Sequence, residues 1–191
     1  MGMLLPGVAV LLLVWSISTY NRMVQAKHSV RQALSNIDVL LRQRHDELPK
    51  LVETCRQYKQ FEQDTLEKVI LARSVVASAS ARQDVATLGQ AEGVLRTQVG
   101  RIFAVAEAYP ELRADGSFAQ LQARISALEE GIADRRELYN QTVNTNNVLI
   151  EQFPGSLVAS LGRFAPLPLL SFEAAETADV NLGQLFADPH A

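Results

Sequence analysis

An uncharged apolar stretch at the N-terminus constrains this chain more than any other feature of its sequence. Residues 3–18 read MLLPGVAVLLLVWSIS and carry no charged side chain, and their length is close to the roughly 17 to 25 residues that cross a bilayer as a helix. Pro6 and Gly7 lie near the start, where breaking a helix costs least. The sequence therefore predicts a transmembrane anchor over residues 1–18.

A cleavable secretory signal is the alternative interpretation of this stretch. However, no basic region precedes the apolar residues, and small residues suited to cleavage occur only at Ser16 and Ser18. The residues that follow also continue a helical pattern without a loop. We therefore expect the anchor to remain attached to the rest of the protein.

The charges that flank the anchor predict its orientation. No Lys or Arg precedes it, whereas Arg22, Lys27 and Arg31 follow before the first acid, Asp38. Lys and Arg next to a span stay preferentially on the cytoplasmic side. The soluble part is therefore expected to face the cytoplasm.

Beyond the anchor, apolar residues recur at intervals of seven, as at the a and d positions of packed helices. The spacing predicts three long helices, over about residues 19–78, 84–109 and 117–153. Short connections make neighbouring helices run in opposite directions. The expected fold is all-α, with the transmembrane helix followed by an antiparallel bundle over residues 19–153 and an irregular fourth element.

The first predicted bundle helix is much longer than the second. Its sixty or so residues would extend on the order of 90 Å at ~1.5 Å per residue. The membrane-proximal part of its apolar seam would then lie uncovered, which is costly in water unless another subunit packs on it. Self-association into a homo-oligomer is therefore expected.

The C-terminal tail, residues 154–191, changes from apolar to acidic. Pro166 and Pro168 prevent one long helix in its apolar half, and after Arg163 it has four acids and no Lys or Arg. Docking of the apolar half along the bundle is the first interpretation, since large exposed apolar patches are uncommon. A partner-binding peptide is the alternative.

The stretch YNQTVNTNNVLIEQF, residues 139–153, is rich in turn-forming Asn and Thr but has no Gly or Pro. The heptad spacing continues through it from Tyr139 to Asn146 to Phe153, which predicts the last part of the third helix. Tyr139 is followed directly by Asn140, and Thr142 belongs to the second apolar row of the same helix.

Several polar residues occupy heptad positions that should be buried, where they need partners and can fix the register of the helices. These assembly or register candidates include Arg44, Glu62, Arg135, Thr142 and Asn146. We hypothesise that Arg44 or Arg135 pairs across helices with Glu62 or another acid.

Pro49 lies inside the first seam with helical pattern on both sides. A proline there should kink the helix and leave the carbonyl of His45 without its helical donor. A fixed kink that wraps the helix around its bundle and a functional hinge are both consistent with this position.

The composition argues against several classes of function. A net charge of −3 offers no basic face for nucleic acid. His28 and His45 would lie ~25 Å apart on one helix, too far to share a metal, and motifs for phosphate loops or nucleophilic catalysis are absent from the sequence. Asp46, Glu47 and Glu53 alternate with basic residues, as on a solvated helix face. We expect no catalytic residue, cofactor, metal or small-molecule substrate.

Several separated motifs nevertheless resemble the LemA family of bacterial membrane proteins, which is related to a magnetosome membrane protein. They are Tyr20-Asn21, IDVLLRQRHDELPKLVETCRQY (37–58), Tyr109-Pro110, FAQLQARISALEEGIADRRELYN (118–140) and Phe153-Pro154. Two positions depart from the family pattern: Asn146-Asn147 stands where a second Tyr-Asn pair is usual, and Glu47-Leu48-Pro49-Lys50 where Leu-Ile-Pro-Asn is more frequent.

This resemblance implies a short membrane anchor, an antiparallel helical bundle and no established enzymatic activity, and it suggests a bacterial inner membrane as the location. The leading hypothesis is a scaffold that self-assembles to organise or remodel the bilayer. The alternative is an adaptor for a membrane protease, sensor kinase or other membrane protein partner. A hydrolase with a carboxylate site near Asp46 has the least support.

Overall fold

The computed structural model describes residues 4–58 and 61–171, and the regular elements in these two ranges are all helical, as predicted. They are α1 Leu4–Arg56, α2 Gln63–Arg82, α3 Val85–Ala106, α4 Pro110–Arg113, α5 Gly116–Glu151 and α6 Gly155–Leu161. Residues 164–171 follow without regular secondary structure. The acidic half of the tail lies outside the described residues.

The predicted anchor and the start of the bundle form one uninterrupted helix. α1 runs for 53 residues from Leu4 to Arg56, which corresponds to ~80 Å. Its N-terminal part is long and apolar enough to cross a membrane, and Val8, Leu11 and Trp15 are exposed there. An exposed apolar helix end of this kind favours membrane anchoring.

The single helix predicted over residues 19–78 is wrong, because the chain turns between α1 and α2. The Tyr58 amide donates to the Cys55 carbonyl at 3.1 Å, and the Phe61 amide donates to the Tyr58 carbonyl at 2.9 Å. Phe61 is buried, with its ring 5.7 Å from that of Tyr109. The turn folds α2 back onto α1, so that the apolar rows of both helices are covered by the chain itself.

α5 packs along α1 in such a way that later residues of α5 contact earlier residues of α1. Towards the N-terminal end of α1, Met23 clusters with Ile150. At mid-length Arg44 meets Glu129, and just beyond the C-terminal end of α1 the Tyr58 hydroxyl donates to Asp115 at 3.2 Å. α2 and α3 complete the main core. Each of these contacts joins residues distant in the sequence, so α1 and α5 pack on each other along most of the length of α5.

The membrane-proximal seam of α1, predicted to be uncovered, is instead covered by the end of α5 and by α6. Met23, Ile150 and Ala159 form a buried cluster, and the rings of Tyr20 and Phe164 meet edge to face at 5.4 Å. The expected difference in length between the first bundle helix and its neighbours does not occur, because α2 is a separate helix and because α5 packs along α1 almost to residue 20.

Candidate functional site

Arg44 forms a buried ion network that joins three helices. Its Nη2 bonds both carboxylate oxygens of Glu92 on α3, at 2.6 and 2.5 Å, and its Nη1 donates to Glu129 on α5 at 2.6 Å. Burial lowers the pKa of Arg44, but the attraction of both carboxylates outweighs this and raises it above its usual value. The guanidinium therefore stays charged and fixes α1 against α3 and α5.

Glu47 extends this network by one helical turn. Its Oε1 accepts from Nη2 of Arg124 on α5 at 2.7 Å and from Nζ of Lys50 at 3.2 Å. The predicted solvated face is therefore wrong for Glu47, which is buried, whereas Asp46 is exposed as expected. Glu47 lies three residues after Arg44, and residues at this spacing share a helix face.

Pro49 lies within α1 and leaves the backbone carbonyl one turn earlier without a helical hydrogen-bond donor. The carbonyl of His45, which a proline at position 49 deprives of its helical donor, accepts from Nε of Arg73 on α2 at 3.0 Å. The side chain of Arg73 thus replaces the missing backbone donor. This bond ties α2 to α1 at the position that the proline creates.

Two asparagines on α5 hold the backbone of the tail. Asn140 donates to the Leu170 carbonyl at 3.0 Å and accepts from the Leu170 amide at 2.8 Å. Asn147 does the same with Leu167, at 3.0 and 2.9 Å. The Tyr139 hydroxyl donates to the carbonyl of Pro168, between these two residues, at 3.0 Å. We call Tyr139, Asn140 and Asn147 the tail clamp.

The tail clamp depends on the heptad spacing of its two amides. Asn140 and Asn147 are two helical turns apart, so both lie on one side of α5. A side-chain amide carries a donor and an acceptor, like a peptide group, and can therefore pair with backbone of almost any sequence. Leu170 is buried at the end of the clamped segment, so residues 167–170 of the tail dock on their own bundle.

Gly89 on α3 allows the tail to pass close to the bundle beyond the clamp. A Cβ atom at this position would collide with the backbone carbonyl of Ser171, and it would also meet the Leu170 side chain at 3.4 Å. Because both the clamp and Gly89 act on residues 167–171, the path of this segment is determined from two sides.

Asn146 is buried beside the clamp. Its amide nitrogen donates to Oδ1 of Asn147 at 3.2 Å, the same oxygen that receives the Leu167 amide. Its own Oδ1 accepts no hydrogen bond from any residue in the described ranges. The predicted seam position is thus occupied by a polar side chain whose role is to orient its neighbour.

Four of the predicted candidates are not brought into a buried site. Arg135 and Glu62 are exposed and do not pair with each other; Glu62 instead accepts from Thr65 at 3.1 Å. Thr142 bonds the Leu138 carbonyl of its own helix at 2.7 Å. Phe153 is exposed, because α5 ends at Glu151 before the seam reaches it.

The physical reason for these differences in α5 is helical drift. A straight α-helix has 3.6 residues per turn, so a strict seven-residue row rotates by ~20° per heptad. The row that begins at Leu121 therefore reaches the surface at Arg135, and Val143 and Ile150 are buried in place of Thr142 and Leu149. The prediction therefore fails for this second row, whereas the row of Phe118, Ile125, Ile132, Tyr139 and Asn146 is buried as predicted up to its last member, Phe153.

The described polar groups offer little for chemistry. Cys55 is buried, and burial raises the pKa of its thiol to about 12, so a reactive thiolate is disfavoured. In residues 4–58 and 61–171, no group of His, Cys, Asp and Glu is placed to hold a metal ion. An open cleft of about 820 Å³ lies between α1 and the α2–α3 turn, and its lining includes Arg31, Asp38 and Arg42.

Residues that sequence analysis missed are Glu92, Glu129, Arg124 and Asn147. Glu92 had a detectable signal, since it lies four residues after Leu88 and three before Leu95, both of which are buried. Asn147 repeats Asn140 at an interval of seven. No pattern within the sequence connects Glu129 or Arg124 to α1, since these contacts depend on the register between two helices.

Comparisons with known proteins find a matching family and several similar proteins. Residues 33–182 match the LemA family. Protein LemA of Metamycoplasma hominis is 25% identical over 169 residues, which cover 86% of this chain and 74% of the relative. Magnetosome protein MamQ 2 of Paramagnetospirillum magneticum is 28% identical over 98 residues, 51% of this chain and 36% of the relative, and MamQ of Magnetospirillum gryphiswaldense is 24% identical over the same shares.

The chain thus spans about a third of the length of the magnetosome relatives and most of the length of the LemA relative. The family match includes α2 to α6, most of α1 beyond its apolar end, and the clamped part of the tail. Because that match extends over far more than half of the residues, this chain belongs to the LemA family.

Proposed function

We propose that this protein is a membrane-anchored, non-enzymatic scaffold that self-assembles through its helices to organise or remodel a bacterial membrane. The observation that carries the assembly is an exposed apolar stripe on α2 and α3. Leu71 is 67% and Val94 54% exposed, Val75 is also exposed, and the three line a groove of about 260 Å³. Contiguous apolar surface of this kind favours protein contacts.

This α2–α3 stripe replaces the membrane-proximal seam of α1 as the assembly surface. Gln98 also lines the groove, and its Oε1 is buried without a hydrogen-bond donor among residues 4–58 and 61–171. Because this oxygen is buried within the single chain, a second copy would pack on the apolar side chains that line the groove and not on Oε1 itself. α2 and α3 are ~30 Å long, enough for an interface at the lower end of stable sizes.

Membrane attachment supports assembly through a surface of this size. Anchoring confines the copies to two dimensions and aligns their bundles, which raises their effective concentration. We place the bundle, with its helices packed in opposite directions, on the cytoplasmic side of the inner membrane, because Arg22, Lys27 and Arg31 directly follow the apolar stretch. The names of the magnetosome relatives are consistent with a role at membranes.

Mass photometry of the detergent-solubilised full-length protein tests assembly. We expect oligomers for the wild type and for Leu138→Glu, which alters an exposed leucine on α5, and a shift to monomers for Val94→Glu. A wild type that stays monomeric at all practical concentrations contradicts the scaffold. For orientation, alkaline phosphatase fused after residue 191 should be inactive and GFP fluorescent.

An adaptor that captures another membrane protein is the second candidate. It is favoured by the tail clamp, which fixes Ser171 beside Gly89 and therefore fixes where the acidic residues of the tail begin. Truncation after Ser171 separates the two functions, since it leaves the clamped segment intact. Loss of partner capture with normal self-assembly favours the adaptor, whereas loss of assembly favours the scaffold.

A further inference from the structure

A second exposed apolar surface lies at the membrane-proximal end of the bundle. Phe153 is 77%, Leu157 58% and Leu161 87% exposed. They are spaced by four residues across the α5–α6 turn and along α6. Leu157 and Leu161 share one face of this short helix, while Ala159 is buried. We call Phe153, Leu157 and Leu161 the foot.

The position of the foot along α1 identifies its surroundings. A Cβ atom at Gly155 would meet Met23 at 3.3 Å and Thr19 at 4.0 Å, and one at Gly162 would meet Tyr20 at 3.2 Å. α6 thus lies beside residues 19–23, directly after the uncharged stretch that ends at residue 18. In a bilayer this is the level of the headgroups, where aromatic side chains such as Tyr20 are enriched.

From this placement we infer that the foot is a membrane-binding surface, which inserts Phe153, Leu157 and Leu161 into the interface of the same bilayer that holds the N-terminus of α1. The proposed occupant is lipid, because the foot lies where the anchor leaves the apolar stretch and because exposed basic side chains accompany it. Arg22 and Arg163 are both exposed and suit anionic headgroups. Helices with an exposed apolar face lie in membrane interfaces, and basic side chains beside them add attraction to anionic lipid.

The foot explains why α6 exposes leucines while its other face is packed. Ala159 contacts the cluster of Met23 and Ile150, so the helix cannot rotate to bury Leu157 and Leu161 without losing that contact. The inference rests on the membrane attachment in the proposed function, but it needs no self-assembly. It gives the scaffold a second point of contact with the bilayer, through which the bundle would act on the lipid surface.

Fluorescence quenching in vesicles tests the foot. The full-length variant Leu161→Cys is labelled with an environment-sensitive dye and reconstituted into phosphatidylethanolamine–phosphatidylglycerol vesicles with and without brominated lipid. Cys55 is buried and its raised thiol pKa disfavours labelling. Leu138→Cys, an exposed site on α5, is the matched control. We expect the label at position 161 to be blue-shifted and quenched at least twofold more than the label at 138.

The single tryptophan, Trp15 in α1, reports anchoring in the same samples. If brominated lipid quenches Trp15 but not the label at 161, the anchor is supported and the membrane-binding role of the foot is wrong. If Trp15 is not quenched, the anchor itself is contradicted. The label at 161 could instead show a blue shift that grows with protein concentration, without quenching by brominated lipid. That result would assign the surface to protein contact and would also overturn the inference. Labelled Leu157→Cys repeats the measurement if Leu161→Cys folds poorly.

Discussion

The two halves of α5 hold the rest of the molecule in different ways. Its N-terminal half uses charge, because Glu129 and Arg124 engage Arg44 and Glu47 of α1. Its C-terminal half uses neutral amides, because Asn140 and Asn147 pair with tail backbone. A buried charge requires opposite charges at specific positions, whereas a side-chain amide can pair with any backbone that reaches it. The first half therefore fixes which helices meet, and the second positions a segment whose side chains are free to vary.

Removing the charge at the centre of the network should have the largest effect. Arg44→Ala leaves Glu92 buried without its partner, and we expect a loss of about 3–5 kcal/mol in the free energy of unfolding. The measurement is denaturant unfolding of the full-length protein in detergent, followed by circular dichroism. Arg42→Ala, which removes an exposed pair with Asp38, should cost less than about 1 kcal/mol. Equal losses in the two variants would show that the network is not central.

Removing one amide of the tail clamp should cost less and act locally. Asn140→Ala leaves the amide and carbonyl of Leu170 without partners, which predicts a loss of about 1–3 kcal/mol. Hydrogen exchange should show the Leu170 amide unprotected while α1 and α5 remain protected. Asn144→Ala, an exposed change one turn along the helix, is the control and should leave exchange unchanged. Global loss of protection in Asn140→Ala would contradict a local clamp.

A substitution on α3 tests the clamp from the opposite side. In Gly89→Ala the added methyl group collides with Ser171, so the tail must shift although the three clamp residues are intact. We expect faster exchange at Leu170 than in the wild type, but a smaller increase than in Asn140→Ala. Gly100→Ala, where the methyl group meets open space, should stabilise α3 by roughly 0.5–1 kcal/mol. Unchanged exchange in Gly89→Ala would place the tail elsewhere.

Lowering the pH should affect the two halves of α5 differently, and this is the smallest of the expected effects on stability. The Phe118 amide, assisted by that of Ser117, lowers the pKa of Asp115 at the start of the helix. A lowered folded pKa stabilises the folded state above the unfolded value of about 3.9, and this contribution is lost as pH falls through the folded pKa. Asp115→Asn keeps a capping acceptor but does not titrate, so the dependence of unfolding on pH between about 2 and 5 should flatten.

The control for this measurement is Asp134→Asn, which changes an exposed acid in the middle of α5 that caps no helix; equal flattening in the two variants would contradict the role of the Asp115 cap. The tail clamp contains no carboxylate. Protection of Leu170 should therefore persist at pH values where the N-terminal end of α5 already exchanges faster. Simultaneous loss at both ends would mean that α5 opens as one unit.

Periodicity was sufficient for the helical class and for the apolar end of α1, because both depend on local spacing along the chain. It failed at Tyr58, where no Gly or Pro marks the turn and where the gain comes from burying Phe61 against Tyr109. It also failed at Arg135, because seven-residue rows drift around a straight helix. The seam position of Arg44 indicated a buried charge, but the identity of its partners required the register of α3 and α5.

The uninterrupted course of α1 has a mechanical consequence. If the apolar end of α1 lies in lipid, as proposed, a helix that continues without a break transmits its tilt into the bundle, which then shares the inclination of the N-terminal segment. Helices in bilayers tilt to match their apolar length to the local hydrocarbon thickness. A thinner or thicker membrane would therefore change the tilt of the entire protein. The angle between the bundle and the membrane would then depend on bilayer thickness.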